Sequence, residues 1–413
     1  MVNPLKKVAM SIVRPALARL KSLVGGMARS ARSRENKELE LARQEIREKN
    51  QRLEKLRQRL EKRERELTKL QAELTKAGNE RRLPGFFDRD APVFFVVGQG
   101  KSGTTWLRNM LNSHPEVLCK GEGRFFERDF VQAAPLEDLE KGWLKSVQPT
   151  SLYGAISSSE HLRTWIERSV WTDGEDVDKH LGNLGRLAIY YFLIERLSKT
   201  DKKIVGDKTT FSHGETLNEI GALYPEARVI HVIRDGRDVA VSMIHHMWNY
   251  SKDAGAFYDL EPEDLEKRET YRKDPASALA EGLFTEKRLT NIARSWAILV
   301  GKAIEDGPML LGGNYTEVRY EDLLTRPEVE VGRILRLLGA DASEETVKHC
   351  VEAADFEKWS EGRKSGEEES SSFYRKGVVG DWKNVFTERD KRIFKEVAGE
   401  LLIRLGYEKD YDW

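Results

Sequence analysis

Leucine-rich positions recur every seven residues through the first fifth of the chain. Leu39, Ile46, Leu53, Leu60, Leu67 and Leu74 form one unbroken series, and Ala42, Lys49, Leu56, Arg63, Leu70 and Ala77 form the intermediate seam. Six heptads with no Gly or Pro between Gly26 and Gly78 predict a coiled coil over residues 35–83, because a lone helix would leave the leucine stripe in water. Homo-oligomerisation through that helix is the natural consequence, with Lys49 and Arg63 weakening the seam and leaving oligomer number open. Gly78-Asn79 and Leu83-Pro84-Gly85 end the segment. From about residue 91 the pattern changes to short β-branched and aromatic runs alternating with helical periodicity. Strands are predicted at Val93–Val97, Lys203–Val205, Val229–Ile233 and Glu317–Tyr320. Helices are predicted at Thr104–Asn112, Arg237–Trp248, Leu289–Glu305, Val329–Leu338, Glu344–Ala353 and Glu388–Leu405. Such alternation predicts an α/β domain over 84–413, a parallel sheet in three layers with helices on both faces.

Charge changes the picture at the other end of the chain. Residues 1–34 carry Lys6, Lys7, Arg14, Arg19, Lys21, Arg29, Arg32 and Arg34 and no acid, interleaved with Leu5, Val8, Ile12, Leu17, Leu20 and Val24. A membrane-surface segment, a solvated basic tail and a targeting peptide all fit, since Pro15 and Gly25-Gly26 interrupt the helical period. Over the 413 residues, 69 basic side chains equal 69 acidic ones, so no net field draws the molecule to nucleic acid. Cys119 and Cys350, the two cysteines, stand in no metal or redox spacing, which argues against a disulfide-stapled domain and suits a reducing compartment. No run of about 18 apolar residues is present to span a bilayer. The expectation is a cytoplasmic protein, with peripheral membrane contact through residues 1–34 as an option.

The chemistry gathers first at Gly98-Gln99-Gly100-Lys101-Ser102-Gly103-Thr104-Thr105-Trp106, directly after a strand and running into a helix. Glycines let the backbone approach an anion, and the unpaired amides and dipole of the helix start favour phosphate. A plain strand-to-helix turn would explain Gly98 and Gly100, but not Lys101, Ser102, Thr104 and Thr105 together. A Walker loop needs glycine five residues before the Gly-Lys pair, where this chain has Phe95. The run Gly100-Lys101-Ser102-Gly103-Thr104-Thr105-Trp106-Leu107 resembles the 5'-phosphosulfate loop of sulfotransferases that use 3'-phosphoadenosine 5'-phosphosulfate (PAPS). The resemblance implies a P-loop-like phosphosulfate site in which Lys101 contacts the bridging oxygen of the donor. It further implies that amides and hydroxyls of 102–105, beside Gly100, hold the 5'-phosphate, and that Trp106 lies against the adenine.

Two further matches stand in order downstream. Val229 to Ser242 reads strand, turn, helix, and Arg234 with Ser242 matches the family's 3'-phosphate pair; a planar guanidinium grips phosphate with two donors. Taken alone, the same stretch is a basic turn before a helix-start Asp. Arg375-Lys376-Gly377, followed by Gly380-Asp381-Trp382-Lys383-Asn384, is similar to the family's C-terminal donor element, and Ser365–Ser372 before it reads as an acidic loop or a lid. Val318 to Leu323 resembles the segment whose tyrosine, here Tyr320, approaches the adenine side.

Sulfuryl carries one charge less than phosphoryl, so cations and amides can stabilise its transfer without a divalent metal, and no metal-ligand cluster is visible in the sequence. A base for the acceptor is required. Glycan-type members use a glutamate soon after the loop. His114-Pro115 to Phe125-Phe126 looks like that arrangement, with Glu122 as the base, its pKa expected to rise between flanking glycines and the aromatic pair. Val205 to Phe211 resembles the segment that brings a second lysine, Lys208, to the transferred group; Asp207 and His213 are alternative bases. His114 is expected to close a helix, and His245 and His246 to be structural. The acceptor, a hydroxyl or amine of a glycan, lipid or small molecule, is not named by the insertions at 127–200 and 250–285. Two rival functions remain: a P-loop-type ATP-dependent kinase and a non-catalytic coiled-coil assembly protein.

Overall fold

The computed structural model describes residues 92–126, 151–172, 176–211, 215–251, 258, 260–360, 362–364, 366–367 and 376–413. The basic segment, the coiled coil, His213 and Arg375 lie outside the described residues, as does most of Ser365–Ser372. All described residues belong to one unit, Gly85–Trp413.

Five parallel strands form its centre: β1 (Val93–Gln99), β2 (Val117–Gly121), β3 (Ile204–Phe211), β4 (Arg228–Ile233) and β5 (Tyr315–Arg319), in spatial order β2-β3-β1-β4-β5. Every residue of β1 is buried, as expected of a central parallel strand covered on both faces. One face carries Phe95, Val97, Leu118, Val205 and Val229 against α4 (Val177–Leu197), α5 (Thr216–Leu223) and α9 (Glu286–Leu311). The opposite face carries Phe94, Val96, Cys119, Ile204 and Val232 against α1 (Thr104–Ser113), α11 (Pro327–Leu338) and α12 (Glu344–Ala353). A third apolar cluster joins α6 (Gly236–Asn249) and α9 to α15 (Glu388–Arg404). The remaining helices are α2 (Leu152–Ser157), α3 (Glu160–Arg168), α7 (Pro262–Lys273), α8 (Pro275–Glu281), α10 (Tyr320–Thr325), α13 (Phe356–Trp359) and α14 (Trp382–Val385).

Three boundaries differ from the apolar pattern. β2 was not expected from the sequence. β3 continues to Phe211 through Asp207, Lys208, Thr209 and Thr210, although hydrophobicity stops at Val205. β5 ends at Arg319, so Tyr320 opens α10 instead of closing a strand. Phe95, at the position a Walker loop reserves for glycine, is a fully buried mid-strand residue packed edge-on against Phe126 at 5.3 Å. After β1 the chain builds β2 and β3 on one side, then β4 and β5 on the other. That places a topological switch point at β1, where open parallel sheets bind ligands beyond the carboxyl ends of their strands.

Candidate active site

The loop after β1 turns through two left-handed residues, Lys101 at φ 71° and Gly103 at φ 96°. Only glycine fits at 103, because a Cβ there would lie 2.5 Å from Cδ2 of Tyr320. Gly103 also caps α1 without a side chain, so no side chain occupies the open amides of the first turn. Ser102 is fully buried, and its Oγ has no hydrogen-bond partner. A buried hydroxyl left unmatched costs free energy, on the order of 1–3 kcal/mol, unless a ligand completes it. Thr104 is buried and Thr105 half-buried at the helix start.

Arg234 leaves the carboxyl end of β4 and binds the separate loops together. Its Nη1 donates to the Lys101 carbonyl at 3.1 Å and its Nη2 to the Val378 carbonyl at 3.2 Å, while the guanidinium lies 4.3 Å from the centre of the Tyr320 ring. The Nε is buried without a partner, a second orphaned donor in the same crevice. Ser242 sits two turns into α6 and half-buried. Asp238, on the first turn of α6, accepts from the amides of Gly380 at 2.7 Å and Trp382 at 3.0 Å, anchoring the C-terminal element to the same helix. Lys376 pairs with Asp381 at 2.7 Å. Gly377 is left-handed at φ 66°, where a Cβ would meet Phe356 at 2.7 Å. Trp106 donates its indole N–H to the Ala354 carbonyl at 2.8 Å and meets Tyr320 edge-on at 5.6 Å, so these two aromatics form one wall.

The second half of the crevice lies at the ends of β2 and β3. Glu122 accepts from the Lys208 ammonium and, at 2.9 Å, from Thr210 Oγ1. Burial pushes its pKa up, but the charge of Lys208 and the bonds from Lys208 and Thr210 outweigh it, so the carboxyl sits below its ordinary value. The raised pKa expected from glycine and aromatic neighbours is therefore corrected: burial acts as anticipated, and the lysine wins. The raised carboxyl is its neighbour Asp207, pushed up to about 7 chiefly by burial, while it accepts from Gly123 N–H at 3.0 Å and Thr209 Oγ1 at 2.9 Å. The alternation of β3 sends Asp207 to the face of Val205 and Lys208 to the face of Ile204, so the two carboxylates work on opposite sides of the strand.

His114 is buried, with Nδ1 accepting from the Glu116 amide at 3.0 Å and Nε2 2.9 Å from the Asp341 carbonyl; it closes α1 as expected. His245 packs with Trp248 and Tyr271, which suits a structural role. His246 does not. Its ring lies against Tyr250 at 4.6 Å and Tyr258 at 5.6 Å, and its pKa is held down to about 4 by burial and by the Lys101 charge, partly offset by Glu122. Tyr258 is pushed up to about 12 by burial and by the Glu122 charge, and its amide donates to the Tyr250 carbonyl at 2.9 Å. These residues sense the charges of the loop lysine and of Glu122. The sequence held the signal for His246: it lies one helical turn after Ser242, on the same face. Tyr258 carried no signal, because its bridge to Ser251 and the bond of its amide to Tyr250 bring it there.

A parallel sheet with anion-suited loops at its switch point defines an α/β protein. The chain belongs to the sulfotransferase family, whose model matches residues 92–344. Among curated relatives, it is 32% identical over 94 residues to sulfotransferase 1A1 of Bos taurus, covering 19% of this chain and 32% of that protein. It is 27% identical over 169 residues to protein-tyrosine sulfotransferase 1 of Danio rerio, covering 40% of this chain and 39% of that one. The chain thus spans only about a third of the length of these two relatives. Among solved structures, mouse sulfotransferase SULT7A1 complexed with PAP matches at a TM-score of 0.41 and 17% identity, over 76% of this chain and 86% of that one.

Proposed function

We propose that this chain transfers the sulfuryl group from PAPS to a hydroxyl or amine of an acceptor, with Glu122 as the base. The observation that carries the reading is the placement of Arg234 against both the Lys101 loop and the Val378 loop. Lys101 and Val378, 277 residues apart in the chain, meet at one guanidinium whose buried Nε has no partner among the described residues. Two orphaned donors, Ser102 Oγ and Arg234 Nε, suit a ligand carrying two separate phosphate groups. In this reading Gly100, Lys101, Ser102, Gly103, Thr104 and Thr105 hold the 5' end. Arg234, Ser242, Arg375, Lys376 and Gly377 hold the 3'-phosphate, and Trp106 and Tyr320 flank the adenine.

The acceptor oxygen forms a bond to sulfur as the bond from sulfur to the 5'-phosphate oxygen breaks. The acceptor proton passes to Glu122, and negative charge builds on the departing nucleotide, where Lys101 and the loop amides stabilise it. Lys208 holds Glu122 ionised in the free protein, and in this reading its ammonium also donates to the sulfuryl oxygens as they move. His246, neutral above about pH 4, with Tyr258 forms the wall against which the acceptor rests. Oligomerisation through residues 35–83 and membrane contact through residues 1–34 remain part of the proposal, and no described helix is long and apolar enough to cross a membrane.

Calorimetric titration with 3'-phosphoadenosine 5'-phosphate (PAP) in EDTA, against ATP with magnesium, tests the reading. Tight metal-free binding of PAP with weak ATP binding is expected. Preferred, magnesium-dependent ATP binding would establish the kinase instead.

A further inference from the structure

Behind the strand that carries Lys208 there is a second opening. It is a cavity of about 210 Å³ at the β2 edge of the sheet, walled by Leu118, Phe125, Leu193 and Val205 and bounded on one side by Gly121, Glu122 and Gly123, the Glu122 carboxylate being held by Lys208 and Thr210. It lies on the face of the sheet away from Lys208. Leu118 and Val205 belong to the apolar cluster of α4 and α5, and Lys120 shares their face because strand residues alternate. Its walls are apolar, yet its mouth is cationic: Lys120 from β2 and Arg196 from α4 line it, both exposed. Neither forms an ion pair or a side-chain hydrogen bond among the described residues. Asp207 also lines the cavity, but its oxygens are taken by the Gly123 amide and the Thr209 hydroxyl, so it is not the partner of those cations. Phe192, 51% exposed, extends the apolar wall outward and meets Tyr191 edge-on at 5.3 Å.

We propose that this cavity binds a small amphipathic anion, an aryl or short alkyl group carrying a carboxylate, with the apolar body between Leu118, Phe125 and Leu193 and the carboxylate held by Lys120 and Arg196. Size supports the body: a cavity of about 150 Å³ is enough to hold benzene, and this one is larger by the room a short chain needs. Charge supports the head, since a guanidinium and an ammonium lining one opening favour a carboxylate over a neutral or cationic group of the same shape. The site is separate from the donor crevice, because Lys120 and Asp207 face away from Lys208 and Glu122's carboxylate. Its wall includes the segment 121–123, so occupancy touches the backbone that bears the proposed base.

The test uses 4-phenylbutyrate, which has no hydroxyl or amine to accept sulfate, titrated calorimetrically into the full chain with and without saturating PAP. Binding that is unchanged by PAP, at least tenfold weaker for 4-phenylbutyramide, and at least tenfold weaker in the Lys120→Glu/Arg196→Glu variant is expected. Both substituted residues are exposed and form no ion pair among the described residues, and unchanged circular dichroism and PAP affinity of the variant establish that it folds. Equal binding of acid and amide, insensitivity to the double substitution, displacement by PAP, or no binding at millimolar concentration would each overturn the proposal. Failure to bind PAP, with 4-phenylbutyrate still bound, would instead overturn the donor reading and leave this one standing.

Discussion

The two halves of the crevice are built differently. On the proposed donor side, Arg234, Asp238 and the loop after β1 come from contiguous strand-turn-helix stretches and are tied to one another by backbone carbonyls and amides. On the proposed acceptor side, Glu122, Thr210, His246 and Tyr258 arrive on separate segments and meet mainly through side chains. A ligand common to a whole family calls for main-chain recognition, which tolerates little change in sequence. An acceptor peculiar to one member calls for side chains on loops, which vary freely. The comparison teaches that donor identity should be robust to single substitutions away from Lys101 and Arg234, whereas acceptor choice should respond to small ones.

The largest expected effect is on the donor side. Lys101→Ala should lower kcat by on the order of 10³-fold, since it removes a cation from the position where charge builds on the leaving group. Single-turnover kinetics with labelled PAPS would show it, and a change of less than tenfold would move the leaving-group role elsewhere. On the acceptor side, Glu122→Gln should cost about 10²–10⁴-fold in kcat, the usual worth of a positioned base, with PAP affinity kept within a few fold. A parallel loss of PAP binding would assign Glu122 to the donor pocket and erase the contrast between the halves.

Acidity sharpens the same contrast. Glu122 sits below its ordinary pKa and His246 near 4, so kcat/KM for the donor, which reports the free protein, should stay level as pH falls through 6.5. A fall centred near pH 6.5 would point to an ordinary histidine as the base. Asp207 gives a stability signature of opposite kind. Its folded pKa, about 7, lies above the ordinary 3.8, so the folded state binds the extra proton and the wild type loses stability as pH rises from about 4 to 7. The slope should be at most roughly 1.4 kcal/mol per pH unit. Asp207→Asn, followed by urea denaturation across that range, should flatten it, and an unchanged slope would place the titration on another group. Smallest of all, His246→Ala should raise KM for the acceptor by up to about tenfold with little change in PAP affinity, the size expected for one lost contact on a side-chain wall.

Legibility in the sequence followed the same division. Gly98–Trp106 and Arg234–Ser242 could be read because each is a single strand-turn-helix unit whose residues act together. Trp106 and Tyr320 were readable as a pair of aromatics, but not as the wall they form through Ala354 and Arg234. β3 was read too short because Asp207 and Lys208 look like loop residues. They are buried because Gly123, Thr209 and Glu122 satisfy them, and those partners are either tertiary or hidden by the pleat. The direction of the Glu122 shift escaped for the same reason, since the sequence shows the glycines that bury it and not the lysine that pairs with it. His245 and His246 fall on different faces of α6, and only its packing partners tell which face is which.

In the proposed reading Arg234 joins the loops so as to read a 3'-phosphate, and one double comparison tests this. Metal-free affinities of PAP and adenosine 5'-phosphate are measured on the wild type and on Arg234→Ala, with tryptophan fluorescence and circular dichroism as checks on folding. The wild type is expected to bind PAP at least tenfold tighter than adenosine 5'-phosphate, in line with the roughly 1.5–3 kcal/mol of a charged hydrogen bond, and the variant to lose most of that preference. Equal affinity for the two nucleotides in the wild type, or a preference that survives in Arg234→Ala, would contradict it.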